Sequence, residues 1–198
     1  MIDFIQIKPS DPILRFKEEY DKASILKQDN IEAICISSYN LDSQEISSRF
    51  VNLKYVNGDK FHFFSNYNSP KGIDFENNNK ISVCIFWHKT NVQIRMKAKI
   101  NKISKKESDY YFDSRDNDKN ALAISSMQSK PIETYQKVIN NYEKVSADVE
   151  NLSRPDYWGG YSFIPYYYEF WEGKSKRINK RESYAFEEKK WLKNILQP

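Results

Sequence analysis

From residue 93 to residue 103 the side chains alternate without a break: Ile94, Met96, Ala98 and Ile100 fall on one side, Gln93, Arg95, Lys97 and Lys99 on the other. Only a strand, whose side chains repeat every two residues, sorts that pattern onto two faces, so the segment is half-buried β-structure. Residues 81–87 (ISVCIFW), just ahead of it, are a continuous apolar run, which predicts a central strand buried on both sides. Two such neighbours commit the chain to a sheet.

The rest of the chain supplies partners for it. Residues 32–39 and 46–56 read as strands joined by a turn at 40–43, and Asn57-Gly58, the strongest short hairpin signal, sends 60–65 back. A Trp158-Gly159-Gly160 bend leads into an aromatic strand over 161–171, followed by a strand around 176–181 and a last one over 184–196. Helices punctuate this pattern. Asp11-Pro12 is a cap followed by proline, opening an apolar stripe of Ile13, Leu14, Phe16, Tyr20 and Ala23 that runs to about residue 26. Ser69-Pro70 repeats that start for a short helix ending near 77–79, Ser104 caps another to about 114, and helical pattern spans 121–127 and 132–150. Antiparallel strands with hairpins and a few helices predict a mainly β, α+β, barrel-like fold. At 198 residues, one domain over 1–198 is expected.

Composition limits the functions open to such a domain. Thirty-one Lys and Arg against 27 Asp and Glu leave a mild excess of +4, which suits phosphorylated small molecules and does not demand nucleic acid. Cys35 and Cys84 both sit in apolar strands, and two cysteines make no disulfide scaffold, so both read as reduced core residues of a cytoplasmic protein. No leader pattern or membrane-length apolar run occurs, and the two histidines and two cysteines show no metal-ligand spacing.

Candidate chemistry gathers near the C-terminus. In an extended chain Arg177, Asn179 and Arg181 point the same way, and beside Trp171 they make a seat for a flat anionic ligand. Ser69 and Lys71 stand where a strand feeds a helix N-terminus, a phosphate site on physical grounds; a plain helix cap accounts for Ser69-Pro70 equally well. Arg49 and Lys54 read alone as solvated cations, Gln93 and Gln128 as surface residues, and Trp158 and Trp171 as core aromatics.

Taken in order, these segments resemble the pyridoxamine 5'-phosphate oxidase family, FMN-dependent enzymes that make pyridoxal 5'-phosphate. The family's Trp-Gly-Gly, Glu-Phe-Trp and Arg-x-His-x-Arg are similar to Trp158-Gly159-Gly160, Glu169-Phe170-Trp171 and Arg177-Ile178-Asn179-Lys180-Arg181, with asparagine in the histidine slot. The stretch from Arg49 to Lys54 resembles its Arg-x-x-x-Leu-Lys. Phe64-Ser65-Asn66 and Ser69-Pro70-Lys71 resemble its Tyr-Thr-Asn and Ser-Arg-Lys, with Pro70 replacing an arginine, and Tyr111 to Arg115 resembles its Tyr-Phe-x-Ser-Arg.

The resemblance implies a six-to-eight-stranded FMN-binding split β-barrel working as a homodimer, with residues 155–198 as dimerisation and substrate region. It implies flavin contacts from Arg49, Phe50, Val51, Asn52, Leu53, Lys54, Phe64, Ser65, Pro70, Lys71, Gln93, Trp171 and Arg181, with Gln128 and Ser129 supplied by the partner subunit. Lys54, Tyr111, Arg115 and Lys119 would anchor the phosphate of a pyridine substrate, and Arg177 and Asn179 would cover its ring as the catalytic pair. Two other functions stay open. One is a flavin enzyme of the same family acting on another small ring compound, which Asn179 and Pro70 would mark. The other is a non-catalytic module holding RNA or single-stranded DNA on Lys174, Lys176, Arg177, Lys180 and Arg181, a patch that Glu169, Glu172 and Glu182 interrupt.

Overall fold

The computed structural model describes residues 1–148 and 152–198. Among them one mixed sheet runs through β1 (Asp3–Ile5), β2 (Ala33–Tyr39), β3 (Ile46–Asn52), β4 (Tyr55–Asn57), β5 (Lys60–Asn66), β6 (Lys80–Trp87), β7 (Val92–Lys102), β8 (Trp158–Glu172), β9 (Lys180–Glu187) and β10 (Lys190–Leu196). The helices are α1 (Asp11–Ile25), α2 (Pro70–Asn77), α3 (Lys105–Asp113), α4 (Asn117–Ser125) and α5 (Tyr135–Ser146). Across the sheet the order is β1-β4-β5-β8-β7-β6-β2-β3, with β9 and β10 added beside β8. The sheet curls into the expected split β-barrel with peripheral helices. It has more strands than six to eight, and its one parallel pairing is β1 with β4.

β8 organises the sheet. Along one edge it pairs with β7 over 161–172; along the other it pairs with β5 over 158–163 and with β9 over 167–172. Between those halves the register against β7 slips at Tyr166, next to Pro165. Proline cannot donate to a ladder, and here it sits where the second edge has no partner. The core forms where β5 and β8 face each other: Phe61 stacks on its register partner Phe163 at 5.1 Å, and Phe63 on Tyr161 at 5.5 Å. Such cross-strand aromatic pairs each contribute about 0.5–1 kcal/mol beyond the area they bury. α1 closes this core with Ile13, Phe16, Tyr20 and Ala23 of the predicted stripe, Phe16 meeting Phe61 and Trp87 at 5.1 and 5.7 Å, while Leu14 is exposed.

Several expectations change. Residues 81–87 are buried on one face only: Ile81, Val83, Ile85 and Trp87 point inward, while Phe86 is 53% exposed and Cys84 half-buried. Cys35 is likewise half-buried on the outer face, so neither cysteine is a core residue. The strand over 46–56 is two, β3 and β4, because at Leu53 and Lys54 the backbone turns to other partners, Leu53 N donating to Glu32 O and Lys54 N to His62 O. Trp158-Gly159-Gly160 is not a bend but regular strand opposite Asn66, Ser65 and Phe64. The last strand is a hairpin, β9 and β10, turned by Glu188 and Lys189, both at positive φ (48° and 64°), a turn usually made with Asn or Gly. Ser10 rather than Asp11 is the N-cap of α1. α5 starts at Tyr135 and ends at Ser146; residue 150 of the predicted helix lies outside the described residues. Residues ahead of α1 form β1, with Asp3 N donating to Lys54 O. Among the described residues no helix is long and apolar enough to cross a membrane.

Candidate active site

A cleft of about 590 Å³ opens between β3, β5, α2 and the α3–α4 region. It gathers Phe50, Val51 and Asn52 from the end of β3, Lys54 from the break after it, Phe64 and Ser65 from β5, Lys71 from α2, and Tyr111, Arg115, Lys119 and Gln128 from the helical side. The break after β3 lets Lys54 turn inward. Gln128 arrives from this same chain, its Oε1 accepting from Ser65 Oγ at 3.2 Å, and not from a partner subunit. Ser129 beside it is an exposed turn residue at φ 68°.

One end of the cleft is built for an anion. Lys71 is only 6% exposed, and its Nζ donates to Ser65 Oγ at 3.0 Å and Ser69 Oγ at 3.1 Å, with no carboxylate pairing with it among the described residues. Burial, then the nearby Arg49 guanidinium, push its ammonium down to about 8. Ser69 spends its own proton on Asn66 O at 2.7 Å and does not cap α2, so the first N–H groups of that helix stay open beside Lys71. A buried cation without a carboxylate partner among the described residues, beside a helix N-terminus, suits a phosphate. Arg49 stands behind: it donates to Ser38 Oγ at 2.7 Å and lies 3.9 Å from Asp74, which Ser38 and Asn40 also hold. Pro70 is exposed and offers no donor, and Leu53 is fully buried in the core.

The other end pairs cations with aromatic rings. Tyr111 lies flat on Phe64, centroids 3.5 Å apart at 7°, and Phe64 stacks on Trp158 at 5.5 Å. The Arg115 guanidinium covers Trp158 at 4.4 Å. Arg115 follows the C-cap of α3 rather than sharing its helical face with Tyr111. Its Nη2 donates to Lys119 O at 2.9 Å, while its Nη1 is buried without a partner. Burial lowers Arg115 and raises Tyr111. Burial also lowers Lys54, helped by Lys119 and Arg115 and opposed by Glu32. Trp158, weighed in the sequence against a core role, serves as wall and core at once.

The remaining residues lie elsewhere. Gln93, Trp171 and Arg181 are register partners across β7, β8 and β9 and so form one row on the outer face. Arg181 is held by Glu169, 3% exposed, through Nε at 3.0 Å and Nη2 at 2.8 Å; Arg95 bonds the same carboxylate. Burial pushes the Glu169 carboxyl up, but these hydrogen bonds outweigh it and leave the group below its ordinary range. Sequence reasoning missed this clamp, which cross-strand register sets: Arg95 lies directly opposite Glu169 on β7, and Arg181 one diagonal step away on β9, opposite Trp171. Arg177 and Asn179 are not on a strand. They lie in a tight exposed loop with Lys176 and Arg177 at φ 57° and 60°, so the predicted common face with Arg181 does not form. Asn179 Oδ1 instead accepts from Lys174 N at 3.1 Å, closing that loop. Lys174, Lys180 and Arg181 pair with Glu172, Glu182 and Glu169, which breaks up the basic patch a nucleic acid would need.

Fold and cleft together define a split-barrel protein of the flavin-binding class. Residues 27–147 match the family described as pyridoxamine 5'-phosphate oxidase, and residues 158–198 match the pyridoxine 5'-phosphate oxidase C-terminal dimerisation region. The pyridoxine/pyridoxamine 5'-phosphate oxidase of Haemophilus influenzae is 36% identical over 190 residues, covering 95% of this chain and 90% of that protein; that of Leptospira biflexa is 31% identical, covering 95% and 89%. The chain therefore belongs to the pyridoxamine 5'-phosphate oxidase family. Among solved structures, PhzG from Burkholderia lata in complex with tetrahydrophenazine-1-carboxylic acid superposes with a TM-score of 0.90 at 24% identity, covering 96% of this chain and 94% of that one. A pyridoxamine 5'-phosphate oxidase-related FMN-binding protein from Nostoc punctiforme superposes with a TM-score of 0.80 at 12% identity, covering 96% and 100%.

Proposed function

We propose that this chain is a cytoplasmic FMN-dependent oxidase that converts pyridoxamine or pyridoxine 5'-phosphate to pyridoxal 5'-phosphate, passing electrons to dioxygen and releasing hydrogen peroxide. The observation that carries this reading is the pair of separate cation groups in one cleft: Lys71 with Ser65 and the α2 N-terminus at one end, Lys54, Arg115 and Lys119 at the other. Two phosphates, one on the cofactor and one on the substrate, account for both. Bound FMN would supply the hydride acceptor. Lys71 and Ser65 would hold its phosphate, with Phe50, Val51, Asn52 and Gln128 along the cleft and Arg49 adding positive potential from behind. Arg115, Lys119, Lys54 and the Tyr111 hydroxyl would fix the substrate phosphate, and fixing it there limits how the ring can lie.

The reading includes a homodimer. Trp171 and Trp158 are thirteen residues apart on β8, about 40 Å along the strand. One small cofactor cannot span both within a single chain, so Gln93, Trp171 and Arg181 would reach it from the second copy, together with Arg177 and Asn179 over the substrate ring. The C-terminal match to a dimerisation region supports this arrangement.

The test is to purify the protein, record its visible spectrum, and add pyridoxamine 5'-phosphate in air while following aldehyde and peroxide. A yellow protein that makes both supports the proposal. A yellow protein inert toward pyridoxamine and pyridoxine phosphates would move the substrate to another ring compound, a reading that Asn179 favours because its amide closes the loop and, unlike histidine, holds no titrating proton. A colourless protein that takes up no FMN would overturn the assignment.

A further inference from the structure

Cys35 and Cys84 face each other across the β2–β6 ladder as direct register partners, both free and both half-buried on the outer face. Partner Cα atoms in an antiparallel ladder lie about 4.5–5.5 Å apart, whichever hydrogen-bonding phase the pair occupies. A disulfide spans about 4.4–6.8 Å between Cα atoms, so register partners lie within the Cα range of a bridge. The same row continues from Cys35 to Phe50, a wall of the cleft, and from Cys84 to Arg95, which clamps Glu169. Within one chain the thiols therefore lie between a wall of the cleft and the Glu169 clamp.

We propose that Cys35 and Cys84 form a reversible redox site that a peroxide closes into an intrachain disulfide. One thiol attacks the peroxide: the O–O bond breaks, the sulfur becomes a sulfenic acid, and one water leaves. The second thiol then displaces the sulfenic oxygen as a second water, forming the S–S bond. Two electrons pass from the sulfur pair to one peroxide molecule, and two thiols restore the starting state by exchange. The geometry stands without the oxidase reading; that reading adds a source, because hydrogen peroxide would be released in the cleft that Phe50, the register partner of Cys35, helps to wall.

The test uses the intact reduced protein and added hydrogen peroxide, with alkylation in denaturant afterwards and intact-mass analysis. The expected product has lost the mass of two hydrogens, carries no alkyl label, contains a linked Cys35–Cys84 peptide, and regains two labelled thiols with dithiothreitol. Since any intrachain bridge in a two-cysteine chain must join this pair, a second measurement isolates the folded geometry. In a glutathione redox buffer the folded chain should be more oxidised than the same chain in urea, because a bridge that fits the native state is favoured by folding. Equal or lower oxidation of the folded chain, sulfinic acid in place of the bridge, or a bridge between two chains would overturn the proposal. Uptake of FMN plays no part in either readout, so this inference and the oxidase reading fail separately.

Discussion

Replacing Lys71 by methionine separates the function of this buried cation from its contribution to stability. In the flavin-free protein its ammonium is held at about 8 against an ordinary 10.5, because it is buried and stands near Arg49. For a base, a lowered folded value means that the charged form is worse off in the native state. Below about pH 8 the folded chain carries the full cost, and the cost disappears as pH rises toward 10.5. A gap of that size corresponds to about 3 kcal/mol at pH 7. Methionine removes the charge, keeps the length, and gives up hydrogen bonds to Ser65 and Ser69 worth about 1 kcal/mol in net terms. The net expectation is a flavin-free variant more stable by about 2 kcal/mol, a rise in Tm of roughly 4–8 °C for a chain of this size. FMN binding should move the opposite way. Losing one charge-assisted phosphate contact costs about 1.5–3 kcal/mol, so Kd rises about 10- to 100-fold. Thermal unfolding of flavin-free protein from pH 7 to 10, with FMN titration by flavin fluorescence, reads both. Wild type should gain more stability than the variant between pH 8 and 10. A variant less stable than wild type without flavin, or with unchanged affinity for FMN, would refute the reasoning.

Three further outcomes are expected. Arg115→Ala removes the guanidinium stacked on Trp158 and should raise KM for pyridoxamine 5'-phosphate about 10- to 100-fold while the flavin spectrum stays unchanged; loss of bound flavin with KM intact would show that Arg115 serves the cofactor. In Gly160→Ala the new Cβ would sit 2.3 Å from Ile103 Cδ1 and 2.8 Å from Phe64 Cε1, so urea unfolding should show a loss of about 1–3 kcal/mol, with activity falling as the Phe64–Tyr111 stack shifts. Glu169→Gln leaves Arg95 and Arg181 without their shared carboxylate and should cost about 1–3 kcal/mol, less than a fully buried pair because both guanidiniums reach solvent. The Glu169 carboxyl is held below its ordinary 4.5, so that contribution is present above this value and fades as pH falls below it; the wild type–variant gap in Tm should close toward acid pH.

How far the sequence could be read depended on whether a residue's partner was local. The α1 stripe apart from the exposed Leu14, the Asn57-Gly58 hairpin with Gly58 at φ 62°, the Ser104 cap and the two-faced β7 appear as expected, because each is fixed by spacing within one segment. Sheet faces were less legible. The run over 81–87 looked buried on both sides, yet Phe86 and Cys84 join Phe50 and Cys35 on the outer face, and an apolar residue alone does not tell core from contact surface. The hairpin at Glu188-Lys189 was hidden because charged residues adopt the left-handed turn that Asn or Gly usually signals.

The same distinction explains the site. Lys54, Ser65, Lys71, Tyr111 and Arg115 come from motifs close to an element end, and the fold brings them to one cleft. Arg177, Asn179 and Arg181 looked like one unit because a strand would align them, but two residues of positive φ and the Asn179–Lys174 bond fold that stretch into a loop. Arg181 belongs to a different constellation, set by cross-strand register with Trp171 and Gln93 and by the Glu169 clamp. No spacing rule in one chain joins that row to the cleft at the other end of β8; a two-fold pairing of two chains would. In the proposed dimer the length of β8 would be a functional quantity: with β5 on one half and β9 on the other, the strand would carry each half of the proposed site at the distance a partner copy must bridge.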